Sequence, residues 1–125
     1  MPRLGRVVGD RPRPALRLSA AASLTIPVLV QPAAEADIVE AALWYESRAL
    51  GLGSEFLGLV EAGIDAIRRT PNAFPRVRGD VRRVLLRRFP FALYFLPEPS
   101  AIRVIACLHV RRDPTRWQQR IGAET

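Results

Sequence analysis

The spacing of the apolar residues changes at Val81, and this change limits the folds that the chain can adopt. Upstream, residues 32–50 and 54–70 carry apolar side chains every three or four positions, which is the period of an amphipathic helix. From Val81 to residue 109 the period is two, with breaks at Pro90 and at residues 97–101. The predicted strands are residues 81–89, 91–97 and 102–109. Because the links between them are short, we expect an antiparallel meander.

A further strand is predicted ahead of the helices, where residues 26–31 form a β-branched apolar run that stops at Pro32. Only a short segment with Gly51 and Gly53 separates the two helices, so they are expected to form a hairpin. The predicted fold class is therefore α+β: an N-terminal strand, an antiparallel two-helix hairpin packed on a mostly antiparallel four-stranded sheet, and a short C-terminal helix.

Local signals predict where the helices begin and how they pack. Pro32 suits the first position of the first helix, and Ser54 is the predicted N-cap of the second. Gly63 lies on the apolar stripe of the second helix and is expected to allow close approach to the first. The acidic residues are expected largely on the outside of the hairpin. In the tail, Asp113 is the predicted N-cap and Pro114 the first position of the short helix.

The charge of the chain is positive and unevenly distributed. The net charge is +7, and all 19 basic residues are arginine. Residues 26–65 carry −6, whereas residues 66–125 carry +9. This asymmetry predicts a domain with one acidic surface and one basic surface, and a polyanionic or acidic partner for the basic surface. The alternative is an arginine-rich surface with no role in binding.

The single cysteine and single histidine exclude several kinds of site. Cys107 rules out an internal disulfide and a zinc site built on cysteines, and its apolar neighbours predict a buried, inert thiol. One histidine and scattered acids make no ligand set, so we expect no metal and no cofactor. A single cysteine fits a reducing compartment, so a cytoplasmic protein is expected, and no apolar run reaches the roughly 18 residues of a membrane span.

Three segments are distinguished by composition. Residues 1–25 are basic and rich in proline, and are interpreted as a disordered or misassigned extension, with a faint likeness to a targeting peptide as the alternative. Residues 26–121 form the predicted domain, and residues 122–125 are a tail.

Strand alternation divides the arginines of the first meander strand into two pairs. Arg83 and Arg87 share the face predicted to be open, about 13 Å apart at roughly 3.3 Å per residue. That spacing suits phosphates or the acidic side chains of a partner; the alternative is an ordinary solvated strand face. Arg82 and Arg88 are predicted at the rims of the face that packs on the helices.

His109 is the candidate for proton transfer, because arginines follow it closely at the end of the last strand. A histidine beside Arg111 and Arg112 has the composition of a phosphodiester-cleaving site, with arginine stabilising the developing charge. The alternative is a histidine that hydrogen-bonds backbone at a strand end. Trp117 is predicted to anchor the tail helix and Tyr94 to pack in the sheet, rather than to stack on nucleic acid bases.

Several of these pieces together resemble one family. The strand–helix–helix order, the run VRRVLLRRFPFALYF and the later HVRRDPTRW are similar to the RelE/ParE superfamily of toxins from bacterial type II toxin–antitoxin pairs. The resemblance covers about residues 27–118 and includes Phe56 of the second helix. Phe91 stands where the family usually has tyrosine.

The resemblance implies a compact α+β toxin that a cognate antitoxin neutralises with an acidic, amphipathic C-terminal segment. Operator DNA would be bound only through the toxin–antitoxin complex. RelE-like members cut mRNA in the ribosomal A site, and ParE-like members inhibit DNA gyrase. Two alternatives are a degenerate toxin that only binds its antitoxin and a generic basic nucleic-acid-binding module.

The resemblance also assigns candidate residues. A RelE-like catalytic set would be His109, Arg87, Arg83 and Arg111, and the surface for antitoxin or nucleic acid would be Arg83, Arg87, Arg111 and Arg112. This chain lacks the lysines and the C-terminal tyrosine of the RelE type. The His-x-Arg-Arg-Asp-Pro motif occurs in many ParE-like members, and its Asp113 and Pro114 suit helix capping better than catalysis. The target, ribosome or gyrase, therefore stays open at this stage.

Overall fold

The structure is a computed structural model that describes residues 26–124, so the prediction for residues 1–25 lies outside the described part. The elements are β1 (Val28–Val30), α1 (Pro32–Arg48), α2 (Leu52–Arg69), a 3₁₀ turn (Pro71–Ala73), β2 (Arg76–Arg78), β3 (Val81–Leu85), β4 (Phe91–Pro97), β5 (Ile102–His109) and α3 (Arg116–Glu124). Their order and classes confirm the predicted α+β fold. No helix in this range is long and apolar enough to cross a membrane.

The sheet has the strand order β1-β5-β4-β3-β2. β1 pairs with β5 in parallel, and every other pair is antiparallel, which confirms the meander. The sheet has five strands rather than the predicted four, because Arg76–Arg78 pairs with the edge of β3. This segment was predicted as loop. Three residues are too few for alternation to be read, and the register of the pair is irregular.

β3 ends earlier than its pattern predicts. It stops at Leu85 instead of residue 89, and Arg88 adopts a left-handed backbone conformation with φ of 70°. The amide of Leu86 donates to the carbonyl of Phe91 at 2.9 Å, which closes the loop of residues 86–90. Arg87 therefore lies in this loop and not on the strand.

The helices cover one face of the sheet with the apolar stripe that the sequence predicts. Phe56 is fully buried, and its ring meets Phe89 and Phe91 edge to face at 5.2 and 5.3 Å. Tyr45 of α1 contacts the same three rings. This aromatic cluster joins the hairpin to the end of the sheet where the 86–90 loop lies.

The close approach between the helices occurs at Gly53, not at Gly63 as predicted. A Cβ on Gly53 would lie 2.6 Å from the backbone oxygen of Ala42, whereas Gly63 faces Leu93 and Leu86 of the sheet side. A sequence stripe shows which side of a helix is buried but not what it meets, and here the stripe meets the sheet.

The start of α2 is also different from the prediction. The helix begins at Leu52, so Ser54 lies inside its first turn and does not cap it. Instead, the carboxylate of Glu46 accepts hydrogen bonds from the amides of Gly51 and Gly53, each at 2.9 Å. These bonds hold the pKa of Glu46 below its ordinary value. The acid of one helix thus caps the next.

Helix α3 packs on the opposite face of the sheet. Trp117 is buried and stacks on Tyr94 with ring centres 5.2 Å apart, which confirms the predicted roles of both residues. The helix begins at Arg116, so Asp113 and Pro114 precede it by two residues or more, contrary to the capping prediction. The amide of Asp113 instead donates to the carbonyl of His109 at 3.0 Å, which closes a turn between β5 and α3.

Candidate functional site

Arg82 and Arg83 are divided as the alternation predicts, but Arg87 lies in the loop after β3, so the prediction that it shares a strand face with Arg83 is wrong. Arg82 donates to the carbonyls of Phe74 and Asn72, at 2.5 and 3.3 Å, and Arg88 forms an ion pair with Glu55 of α2. Both arginines therefore bind groups of the domain itself, on the side of the sheet that the helical hairpin covers. Arg83 is the cross-strand neighbour of Tyr94, which belongs to the face that α3 partly covers.

The loop at residues 86–90 lies beside the end of β5. The amide of Val110 donates to the carbonyl of Pro90 at 2.9 Å, and Phe91 is the register partner of His109. The exposed arginines Arg87, Arg111 and Arg112 consequently lie at one end of the sheet. Arg83 lies three residues further along, since its partner is Tyr94 rather than Phe91.

The side chain of His109 is hydrogen-bonded to the turn that follows it. Its Nδ1 accepts hydrogen bonds from the amides of Arg111 and Arg112, both at 3.1 Å, and its ring meets Phe91 edge to face at 5.4 Å. An acceptor at Nδ1 places the single proton of the neutral imidazole on Nε2. Burial, followed by the positive charge of Arg112, lowers the pKa of His109.

His109 and Arg83 belong to opposite faces of the sheet. His109 pairs with Phe91, which is part of the core under the helices, whereas Arg83 pairs with Tyr94, which is part of the core under α3. Side chains of directly paired residues lie on the same face. The four-residue catalytic set is therefore divided: Arg87 and Arg111 lie at the same end of the sheet as His109, and Arg83 does not join them.

The lowered pKa of His109 predicts a pH dependence of stability. The folded chain binds this proton less tightly than the unfolded chain, so the stabilisation is present above the ordinary pKa of 6.5 and is lost as the pH falls through the lowered value. We expect the fall in Tm between about pH 7.5 and about pH 5.5 to be smaller in His109→Gln than in the wild type. Equal falls in both proteins would contradict the lowered pKa of His109.

A buried ion pair lies at the edge of β5, beyond the segment that pairs with β1, and the sequence did not predict it. Asp37 of α1 accepts from Arg120 of α3 at 2.5 and 3.1 Å, and from the amide of Cys107 at 3.0 Å. Arg120 also donates to the carbonyl of Ile105 at 3.1 Å. One signal was available: Asp37 stands three residues after Ala34 and four before Ala41, on the apolar stripe itself.

The buried cysteine belongs to the same region. Cys107 is a free thiol, and burial together with the carboxylate of Asp37 raises its pKa to about 12. The prediction that the thiol is buried is confirmed, and its raised pKa agrees with the low reactivity expected of it. A groove of about 130 Å³ lies nearby, lined partly by Trp44, Phe91 and Arg112. Within residues 26–124 no three His, Cys, Asp or Glu side chains cluster as a metal site would require.

The cations without an acidic partner concentrate on the loops and the open side of the sheet. Within residues 66–124, six arginines form ion pairs, and Arg78 and Arg82 donate to other oxygens. Those that form neither an ion pair nor such a side-chain hydrogen bond are Arg76, Arg83, Arg87, Arg111 and Arg112. This set includes all four residues predicted to bind an antitoxin or nucleic acid, and it leaves their charge available to an anionic partner.

Comparison with known proteins gives a match in structure only. No family model matches the chain, and no curated protein does. Among solved structures, a chain described as "Chromosomal ParDE TA system from P. aeruginosa" superposes with a TM-score of 0.52 at 18% sequence identity. The match covers 68% of this chain and 96% of that one. The chain therefore has the fold of a ParDE toxin–antitoxin system chain, as the resemblance in its sequence predicts.

Proposed function

We propose that the chain is a growth-inhibiting toxin of a type II toxin–antitoxin pair, active in the cytoplasm and neutralised by a cognate antitoxin. The observation that carries this proposal is the set of arginines without acidic partners on a ParDE-like fold. A domain that used its cations only for its own stability would pair them, as it pairs Arg88 and Arg120.

The proposed antitoxin ends in an acidic, amphipathic segment. Carboxylates on such a segment would match Arg83 on the open face and Arg87, Arg111 and Arg112 at the end of the sheet, since guanidinium groups bind carboxylates in two-pronged geometry. Covering these arginines would block access of the target to the same surface. Operator DNA would be bound only through the complex with this antitoxin.

The division of Arg83 from His109 favours inhibition by binding, with DNA gyrase as the target. A catalytic site needs its acid, base and charge-stabilising groups around one reacting centre. Here Nδ1 of His109 is committed to two backbone amides, and Arg83 projects from the other face of the sheet. A cationic surface that binds without cutting requires no such convergence.

Ribosome-dependent mRNA cleavage is the second candidate, and one observation favours it. Nε2 of His109 has no hydrogen-bond partner within the described chain, and the neutral imidazole carries its proton there. With Arg87 and Arg111 at the same end of the sheet, Nε2 could donate to a leaving oxygen while an arginine stabilises the developing charge.

Inducible expression in a sensitive bacterium tests the toxin proposal. We expect growth arrest, rescued by co-expression of the small acidic-tailed protein encoded beside the gene. Arg83→Ala combined with Arg87→Ala should abolish the arrest. The matched control is Arg68→Ala with Arg69→Ala, which removes the same charge from exposed positions on α2. Harmless expression of the wild type, at confirmed protein levels, would refute the proposal and favour a degenerate homologue.

Assays with purified components distinguish the two candidate targets, DNA gyrase and mRNA on the ribosome. Inhibition of gyrase supercoiling, with no cleavage of mRNA on programmed ribosomes, is the expected result. Under the second candidate, cleavage occurs and is lost in His109→Ala and Arg87→Ala while the circular dichroism spectrum is unchanged. Cleavage that persists in both variants would remove His109 and Arg87 from any catalytic role.

A further inference from the structure

Helix α1 is apolar on two faces, and only one of them is covered. Its inner face packs on the sheet through Ala34, Ile38 and Ala41. On the opposite side, Leu43 is 66% exposed, and Val39 and Trp44 are nearly half exposed. An ordinary surface helix presents polar residues there, so three exposed apolar side chains within two turns of one helix indicate a contact surface.

The exposed patch consists of two rows along the helix, here called the α1 outer face. Val39, Leu43 and Ser47 form one row at intervals of four, and Glu40, Trp44 and Arg48 form the next. The guanidinium of Arg48 lies 4.6 Å from the centre of the Trp44 ring, within cation–π distance. Neither Glu40 nor Arg48 forms an ion pair with any residue in the described range.

The charges of the second row are complementary to those of an identical row that runs in the opposite direction. It runs from an acid through an aromatic ring to a base, with equal spacing on both sides of Trp44. In an antiparallel helix pair related by a twofold axis near Trp44, Glu40 of each copy lies opposite Arg48 of the other. The same axis brings Leu43 near its counterpart and buries the apolar centre of the patch. Parallel pairing would place Glu40 opposite Glu40 and Arg48 opposite Arg48.

We propose that two copies of the chain associate through their α1 outer faces, with the helices antiparallel. The occupant of this face is a second copy rather than the acidic antitoxin segment, because Glu35 and Glu40 make the N-terminal half of the face acidic. Arg83, one of the arginines assigned to the antitoxin, lies elsewhere, on the sheet face opposite the helices, whereas Arg112 lines a groove with Trp44. A dimer formed in this way leaves the surface around Arg83 free in both copies, whether or not the chain is a toxin.

Sedimentation of the full-length chain over a range of concentrations tests the proposal. We expect a monomer–dimer equilibrium for the wild type and a monomer for Leu43→Glu. The matched control is Leu85→Glu, since Leu85 is exposed to a similar degree on the other face of the sheet, and it should leave the dimer intact. All these positions are solvent-exposed, so the circular dichroism spectra should not change.

Charge exchange tests the antiparallel arrangement itself. Glu40→Arg and Arg48→Glu should each weaken the dimer about tenfold, because each replaces two attractive pairs with two repulsive ones. The two changes combined should restore association close to that of the wild type. A wild-type chain that stays monomeric throughout, a dimer indifferent to Leu43→Glu, or the absence of recovery in the combined variant would each overturn the proposal. Loss of antitoxin binding in Leu43→Glu, with the wild type monomeric, would assign the face to the antitoxin instead.

Discussion

Replacing Arg120 with methionine is expected to lower the free energy of unfolding by about 3–5 kcal/mol, the loss typical of breaking a buried ion pair. The side chains of Asp37 and Arg120 are 6% and 16% exposed. Without Arg120, the carboxylate of Asp37 would keep only the amide of Cys107 as a partner. The cost arises mainly from leaving that charge buried and uncompensated.

Urea denaturation measures this effect, and two variants sharpen it. Arg116→Met alters an arginine on the same helix that is half exposed, and should change the free energy of unfolding by no more than about 0.5 kcal/mol. Asp37→Leu combined with Arg120→Met removes both charges and should recover much of the loss. If Arg120→Met costs less than about 1 kcal/mol, the ion pair is not the connection that holds α3 to α1.

Substitution of two glycines on α2 by alanine is expected to have opposite effects. A Cβ on Gly53 would lie 2.6 Å from the backbone oxygen of Ala42, so Gly53→Ala must push the helices apart at a cost of about 1–3 kcal/mol. A Cβ on Gly58 meets no atom within 4 Å, and this residue lies in the interior of the helix. Gly58→Ala should therefore stabilise the chain by about 0.5–1 kcal/mol, since alanine loses less backbone entropy on folding.

The same denaturation experiment compares the two variants, because each adds one methyl group to the same helix. The expected outcome is a difference in sign, with equal m-values showing that the extent of unfolding is unchanged. Stabilisation by Gly53→Ala would mean that the helices separate more easily than the close approach to Ala42 indicates. Destabilisation by Gly58→Ala would indicate that this surface of α2 is covered in solution.

Most of the fold could be predicted, because it depends on patterns that are local in the chain. The helical stripe of α2 and the alternation of residues 91–97 and 102–109 are confirmed. Less was predictable where a segment is short or where the backbone must turn. Arg76–Arg78 is a three-residue edge strand without a readable period, and the left-handed conformation of Arg88 ends β3 four residues early.

For the candidate site, too, some features could be predicted from local patterns and others could not. Alternation was sufficient to separate Arg83 from Arg82, because both lie within a regular strand. Alternation could not show that Arg83 and His109 lie on opposite faces of the sheet. That conclusion requires the register of β3, β4 and β5, and it requires knowing which face the hairpin covers and which face α3 covers. The catalytic role of His109 stays a prediction, and its hydrogen bonds to Arg111 and Arg112 give it a structural role as well.

By itself the sequence determined the class of fold, the inner faces of the helices, the buried thiol and the uneven charge, because periodicity and composition act over a few neighbouring residues. The tertiary structure alone decided which partners those residues meet. The carboxylate of Asp37 is hydrogen-bonded to Cys107, 70 residues away in the sequence, and to Arg120, 83 residues away. Such contacts depend on how the whole chain closes around the sheet, and no local pattern encodes that closure.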